Sequence, residues 1–226
     1  ATWIAMRGQR LQARADLERA DGLNPTDPRV RLVLCEEWMA HGQFDRASAE
    51  MDAVRGVDAS TVSKFFVDPA DWVVMRFLQA GRLTLARRAA KDGAALADEL
   101  LGSMTERRHR IAMLPMAVQL YVEAGRADDA KRCMSEFLDA RRAMDPSYSA
   151  ADDIVLLQAM VSRLQDDPHQ TIELLEPLAM RGTTDAAVWR LLGEAYGRAD
   201  NTRRAIWALT QCLRLEPNNR QTAMQL

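Results

Sequence analysis

The sequence predicts an all-α chain, a tandem array of antiparallel helix pairs. Three observations carry this: a helix-favouring composition, a turn-and-crossing residue pair that recurs at one spacing, and apolar stripes of helical period around it. Aromatics make up only 6% of the 226 residues while alanine, leucine and arginine abound, so the residue types that strands need are scarce. With 48% hydrophobic and 27% charged residues the chain has the make-up of a folded protein. A net charge of -2 sets up no global field for nucleic acid or acidic membranes.

The elements follow in chain order. Residues 1–27 read as part of a first pair, with Gly8, Ala13, Leu17, Ala20 and Pro25 at turn, crossing and stop positions. Near 28–61, EWMAHGQFDRASAEM places Gly42 at the turn and Ala47 five residues later. Near 67–100, RFLQAGRLTLARRAA does the same with Gly81 and Ala86, and near 111–144 LYVEAGRADDAKRCM repeats it with Gly125 and Ala130. The pairs Asp166 with Thr171, near 152–185, and Asp200 with Ala205, near 186–219, complete the series. The three quoted words each show an apolar helix end, a Gly turn that can adopt positive φ, and a new helix with a small residue where it crosses closely. Trp38, Phe77, Tyr121 and Tyr196 share one aromatic slot ahead of the turn. RQTAMQL, 220–226, has the register of one further first helix, so the chain reads as a fragment of a longer array.

The physics is plainest in the last pair, AAVWRLLGEAYGRADNTRRAIWALTQCLRLEPNN. Trp189, Leu192 and Tyr196 fall three and four residues apart and form one apolar stripe. Gly193 and Ala205 let the two helices approach, Leu209 and Cys212 continue the second stripe, and Pro217 delays the next helix. Such a pair cannot bury both faces alone, so neighbours must stack on it.

These residues sit at the spacing W-x2-L-G-x2-Y, A-x3-F-x2-A, P, and the chain resembles tetratricopeptide-repeat (TPR) proteins over nearly its full length. The resemblance implies a right-handed α-α superhelix, a TPR-like solenoid occupying 1–226. Successive turn positions lie about 34, 39, 44, 41 and 34 residues apart, against a family period of about 34, so the middle repeats are enlarged. The additions fall in GVDASTVSKFFVDP, ADELLGSMTERRHR and AMDPSYSAADD; the second reads as helical material, predicting longer helices there. Phe65 and Phe66, in the first, either pack under a neighbouring helix or stand exposed.

Candidate chemistry is sparse. His41, His109 and His169 are dispersed and read as solvated or capping residues, because a zinc site needs three or four ligands together. No phosphate loop or nucleophile elbow occurs. Asp128–Asp129, Asp152–Asp153 and Asp166–Asp167 read as helix starts. Cys35, Cys133 and Cys212 are odd in number and widely spaced, and read as buried packing residues in a reducing compartment; a periplasmic place would require a leader removed upstream. Met6, Met51 and Met134 read as core filler. Arg107–Arg110 reads as a solvated helix face. No catalytic site, metal or cofactor is expected, and no run approaches the roughly 20 apolar residues that cross a bilayer.

The resemblance also implies a function. In TPR arrays the first helices line a concave groove that takes a peptide or helix of a partner. Carried onto this register, the groove positions are Glu36, Met39, Met75, Gln79, Gln119, Glu123, Met160, Arg163, Arg190, Glu194 and Arg198, acidic toward the start and basic toward the end. The Lys and Asn clamp of chaperone-tail receptors is not matched, since the corresponding positions hold Leu32 and Glu36, Asp71 and Met75, Pro115 and Gln119, Leu156 and Met160, Arg190 and Glu194. The expected role is a protein-interaction scaffold, not an enzyme. The alternatives are the regulatory or assembly arm of a larger enzyme or cell-envelope system, and a self-associating array.

Overall fold

The computed structural model describes residues 16, 17, 19, 20, 22, 23, 27–57, 59–66, 68–104, 106–148 and 150–216. The readings placed on Met6, Gly8, Ala13, Pro25, Pro217 and 220–226 lie outside these. Among the described residues the helices are α1 Pro28–Ala40, α2 Phe44–Arg55, α3 Ala59–Phe65, α4 Pro69–Ala86, α5 Ala90–Ser103, α6 Arg107–Glu123, α7 Ala127–Met144, α8 Asp152–Leu164, α9 Pro168–Met180, α10 Ala186–Arg198 and α11 Thr202–Leu215. The chain groups into two compact units, Ala1–Ala124 and Gly125–Leu226.

One backbone device is repeated in both units. Positive φ occurs at Gly42, Arg88, Gly125, Asp166 and Asp200, with a helix starting two residues after each, and also at Gly182, where the next helix starts four residues later. Five residues after each of the first five stands a buried small residue: Ala47, Gly93, Ala130, Thr171 and Ala205. A left-handed residue at a helix end lets the next backbone N–H reach back to an orphan carbonyl. Gln43 N donates to Trp38 O at 2.9 Å, Ala89 N to Thr84 O at 3.2 Å, Asp167 N to Ser162 O at 3.0 Å and Asn201 N to Tyr196 O at 2.8 Å.

The enlarged repeat of the first unit corrects the expected turn at Gly81. Helix α4 runs through Gly81 to Ala86, the turn is made by Arg88 at φ 53, and the small crossing residue is Gly93, not Ala86. The register therefore slips by seven residues, about two helical turns. Gly81 serves a different need: a Cβ there would lie 2.6 Å from Met116 Sδ, so it admits the Met116 side chain of α6. Phe77 is buried, but it stands further from its turn than Trp38, Tyr121 and Tyr196 do from theirs.

In the first unit Leu32, Cys35 and Trp38 of α1 meet Ala47, Met51 and Val54 of α2, with Trp72, Ala80 and Leu83 of α4 closing the core. Leu17 and Val62 join it. Phe66 is half-buried against Trp72, ring centroids 5.3 Å apart, and Arg29 covers the Phe65 ring, so this insertion packs. The material expected to lengthen helices forms the end of α5 and the start of α6, and the chain breaks between them at Met104, which is extended at φ -85, ψ 96. In the second unit Trp189, Leu191, Leu192 and Tyr196 of α10 pack with Ala205, Ala208 and Cys212 of α11 and with Leu175, Leu178 and Ala179 of α9. Met51, Met134 and all three cysteines are buried.

Side-chain caps fix several helix starts; of the acidic pairs, Asp166–Asp167 supplies one, while Asp128–Asp129 and Asp152–Asp153 stand in the first turns of α7 and α8. Asp27 accepts from Arg29 N at 3.0 Å, Asp167 from Gln170 N at 2.9 Å, Asp185 from Ala187 N at 2.8 Å and Asn201 from Arg204 N at 3.3 Å.

Candidate partner-binding faces

In the first unit α1 and α4 lie side by side and bring two of the sequence-selected residues together. Gln79 Nε2 is 3.5 Å from Glu36 Oε2, across 43 residues of chain. Arg82, which the sequence reading did not select, sits 3.7 Å from the same carboxylate. The seven-residue slip explains both facts. A helix returns to nearly the same face after seven residues, so Gln79 still faces α1 in the wrong register, while the residue at Glu36's own register position is Arg82. Met39 is half-buried against the core, and Met75 is exposed. Gln119 and Glu123 are exposed on α6.

In the second unit the selected residues converge more tightly. Arg190 Nη1 donates to Glu194 Oε1 at 2.9 Å, one helical turn along α10, and Arg163 of α8 approaches the other oxygen at 3.7 Å. Arg198, one turn further, bonds Asp166 at 2.8 Å and points toward the Arg163 carbonyl at 3.5 Å. Met160 packs against the core beside them. Arg163 Nε is buried with no hydrogen-bond partner among the described residues.

Two other groupings were not foreseen. His109, expected to be a solvated or capping residue, is buried at the start of α6, with Nδ1 3.3 Å from Glu106 and Nε2 3.4 Å from Asp71. Its neighbour Arg108 bonds Glu106 at 3.1 Å and also pairs with Asp68. Asp68, Glu106 and His109 are the one group among the described residues with ligand atoms close enough for a metal. The Arg108 guanidinium already neutralises both carboxylates, so the arrangement is an ion-pair network and does not fit a cation. A histidine set among charged residues gave no sequence signal of its own burial.

The second grouping is a cavity of about 290 Å³ lined by Glu176, Ala179, Met180, Leu192, Tyr196, Arg204 and Trp207. Arg204 bonds Glu176 at 2.7 Å, the Tyr196 hydroxyl also donates to Glu176, and Trp207 meets Trp189 edge-on at 5.1 Å. Burial first, and the Glu176 carboxylate second, push the Tyr196 hydroxyl above the usual phenol range.

The repeated left-handed turn, the small crossing residue and the stacked helix pairs together decide the family of folds. The protein has the tetratricopeptide-repeat fold. The tetratricopeptide repeat family matches residues 5–62 of the chain, and no curated protein matches it. Among solved structures, PilW, a widely conserved type IV pilus biogenesis factor, is similar at 17% identity and TM-score 0.67, covering 97% of this chain and 92% of that one. BtubC (BKLC) from P. vanneervenii is similar at 14% identity and TM-score 0.61, covering 96% and 90%. YrrB, a TPR protein with an unusual peptide-binding site, is similar at 13% identity and TM-score 0.52, covering 93% and 98%. No described helix of this chain is long and apolar enough to cross a membrane.

Proposed function

We propose that this TPR protein is an interaction scaffold that takes a peptide or helix of a partner protein along the faces of its first helices. The observation that carries the reading is the convergence in each unit of polar residues from neighbouring first helices, Glu36 with Gln79 and Arg82, and Arg163 with Arg190, Glu194 and Arg198. Their side chains, partly exposed, are held by ion pairs and hydrogen bonds on well-packed helices, so a ligand meets a preformed face and little ordering cost is added on binding. The YrrB fold, described with a peptide-binding site, supports the same reading.

A photo-crosslinking amino acid placed at Met160 or Arg198 tests this against placement at Arg132 or Arg203 on the second helices. Partner crosslinks confined to the first-helix positions support the proposal. Equal crosslinking from both sets, or crosslinks from Arg132 and Arg203 alone, would overturn it.

Self-association is a second reading, and it rests on a different observation. Met180 is 82% exposed and Ile206 and Trp207 are each 49% exposed, with Met180 and Trp207 flanking the cavity of α9–α11. Clustered apolar exposure of this kind marks interaction surfaces. Sedimentation at increasing concentration should then show a dimer that Trp207→Ser abolishes; a monomer throughout removes this reading.

A further inference from the structure

We infer that the α8–α10 face of the second unit is built to take a carboxylate-rich peptide segment. The inference rests on the scaffold reading above and names the chemistry of the partner. Three guanidinium groups, Arg163, Arg190 and Arg198, stand there against two carboxylates, Glu194 and Asp166. The guanidinium groups are gathered on one face of a chain whose net charge is -2, with Asp167 and Asp200 exposed in the turns beside it.

The pairing within the face is also unequal. Glu194 is well seated, its side chain 14% exposed, and it is committed to Arg190 at 2.9 Å. Arg163 reaches the same carboxylate only at 3.7 Å, beyond a normal hydrogen bond. Its Nε finds no acceptor among the described residues. A guanidinium offers five donors in a planar fork that matches a carboxylate, and the Arg163 side chain is 33% exposed, so its outer nitrogens can meet an incoming carboxylate. Arg198 is held by Asp166, whose side chain is 83% exposed, and an exposed pair of this kind is weak and exchanges readily.

The acidic groups of the same helices do not cancel this charge. Asp152 and Asp153 open α8, eleven and ten residues before Arg163, which places them about 15–16 Å away along the axis. That exceeds the screening length of about 8 Å at physiological salt. Asp152 is also taken by Arg181 at 2.6 Å, and Asp185 caps α10 at its far end.

Fluorescence anisotropy with a labelled hexaglutamate peptide tests the inference, with hexalysine and a single-stranded oligonucleotide as the other ligands. Hexaglutamate should bind, hexalysine should not, and shortening the Debye length from about 10 to about 3 Å with salt should weaken the complex. Arg163→Gln and Arg190→Gln should each weaken it about tenfold, the effect of losing a charge-assisted hydrogen bond. Arg132→Gln, on α7, should not change it. The decisive variant is Glu194→Gln, which keeps the shape and removes the competing charge, so it should tighten hexaglutamate binding. A weakened or unchanged complex with Glu194→Gln would overturn the inference, as would an oligonucleotide that binds as well as hexaglutamate with the same arginine dependence. If hexaglutamate fails while partner crosslinks still form at Met160 and Arg198, the acidic-ligand inference falls and the scaffold reading stands. If both fail, both fall.

Discussion

A Cβ atom built on Gly193 would lie 2.7 Å from both Cγ and Cδ2 of Leu209, and 3.4 Å from the Ala205 carbonyl oxygen. The contact joins α10 to α11 at the closest approach of the last helix pair. Leu209 is buried and branched at the offending atom, so it cannot turn aside without disturbing Ala208 and Cys212, which share its helix and are fully buried. Gly193→Ala should therefore destabilise the protein. Overpacking costs about 1–3 kcal/mol, of which about 1 kcal/mol is returned by the better helix propensity of alanine. A net loss of up to about 2 kcal/mol is expected in urea unfolding, and Ala205→Leu, at the same crossing, should cost about 1–3 kcal/mol.

Gly81→Ala provides the contrast. The atoms it meets are Sδ and Cγ of Met116, an unbranched side chain with several rotatable bonds. Repacking of that chain and the gain in helix propensity oppose each other, so stability should stay within about 1 kcal/mol of the parent. A loss as large as that of Gly193→Ala would show that Met116 is locked in place.

Arg88→Gly tests the slipped register. Arg88 holds φ 53 at the end of α4, a conformation that costs a residue with a Cβ about 1–2 kcal/mol and costs glycine nothing. Part of that gain is lost to the greater freedom of glycine in the unfolded chain. Equilibrium unfolding should show a stabilisation of about 0.5–1 kcal/mol. Destabilisation would place the turn elsewhere, and with it the identity of Gly93 as the crossing residue.

The residues around Arg88 also show where the sequence was legible and where it was not. Gly42 and Gly125 announce their turns because glycine is the cheapest residue at positive φ, and Ala47 and Ala130 follow at the right distance. Arg88 announces nothing, since arginine is an ordinary helix residue, and Gly81 offered a false turn seven residues early. The face of α4 survived the error because seven residues are nearly two turns, which is why Gln79 reaches Glu36 and why only Arg82 was missed. His109 was misjudged for another reason. Its burial depends on Asp71, some forty positions earlier in the sequence, and no local pattern encodes that approach.

Asp27 links the start of α1 to pH. Its carboxylate accepts from the Arg29 backbone at 3.0 Å and from the Arg29 guanidinium at 2.7 Å, and the side-chain bond to Arg29 holds its carboxyl below the usual range. A carboxyl whose pKa is depressed on folding adds stability above its unfolded value, near 3.9, and loses it as pH falls through the folded value. Asp27→Asn keeps a capping oxygen but cannot ionise. Because Arg29 is half exposed, the parent should be more stable by only about 0.5–1 kcal/mol at neutral pH. The gap should close as pH drops below about 3.9; a gap that persists there would mean that the cap, not the charge, is what Asn fails to replace.

Cys35 is fully buried between α1 and α2, and burial, reinforced by the carboxylates of Glu50 and Glu36, pushes its thiol up to about 12. The thiolate is the reactive form, so near pH 8 iodoacetamide should label Cys35 only after urea unfolds the chain, as read by peptide mass spectrometry. Rapid labelling of the native protein would show that the α1–α2 pair opens. The same shift sets an alkaline limit. The folded state holds the proton more tightly than the unfolded thiol, whose pKa is about 8.5, so the contribution is intact below that value and is lost progressively as pH rises toward about 12. Cys35→Ala cannot ionise, and its stability should decline less steeply than that of the parent across this window, by up to about 1.4 kcal/mol per pH unit. Parallel slopes for the two proteins would mean that the thiol does not stay protonated in the folded core.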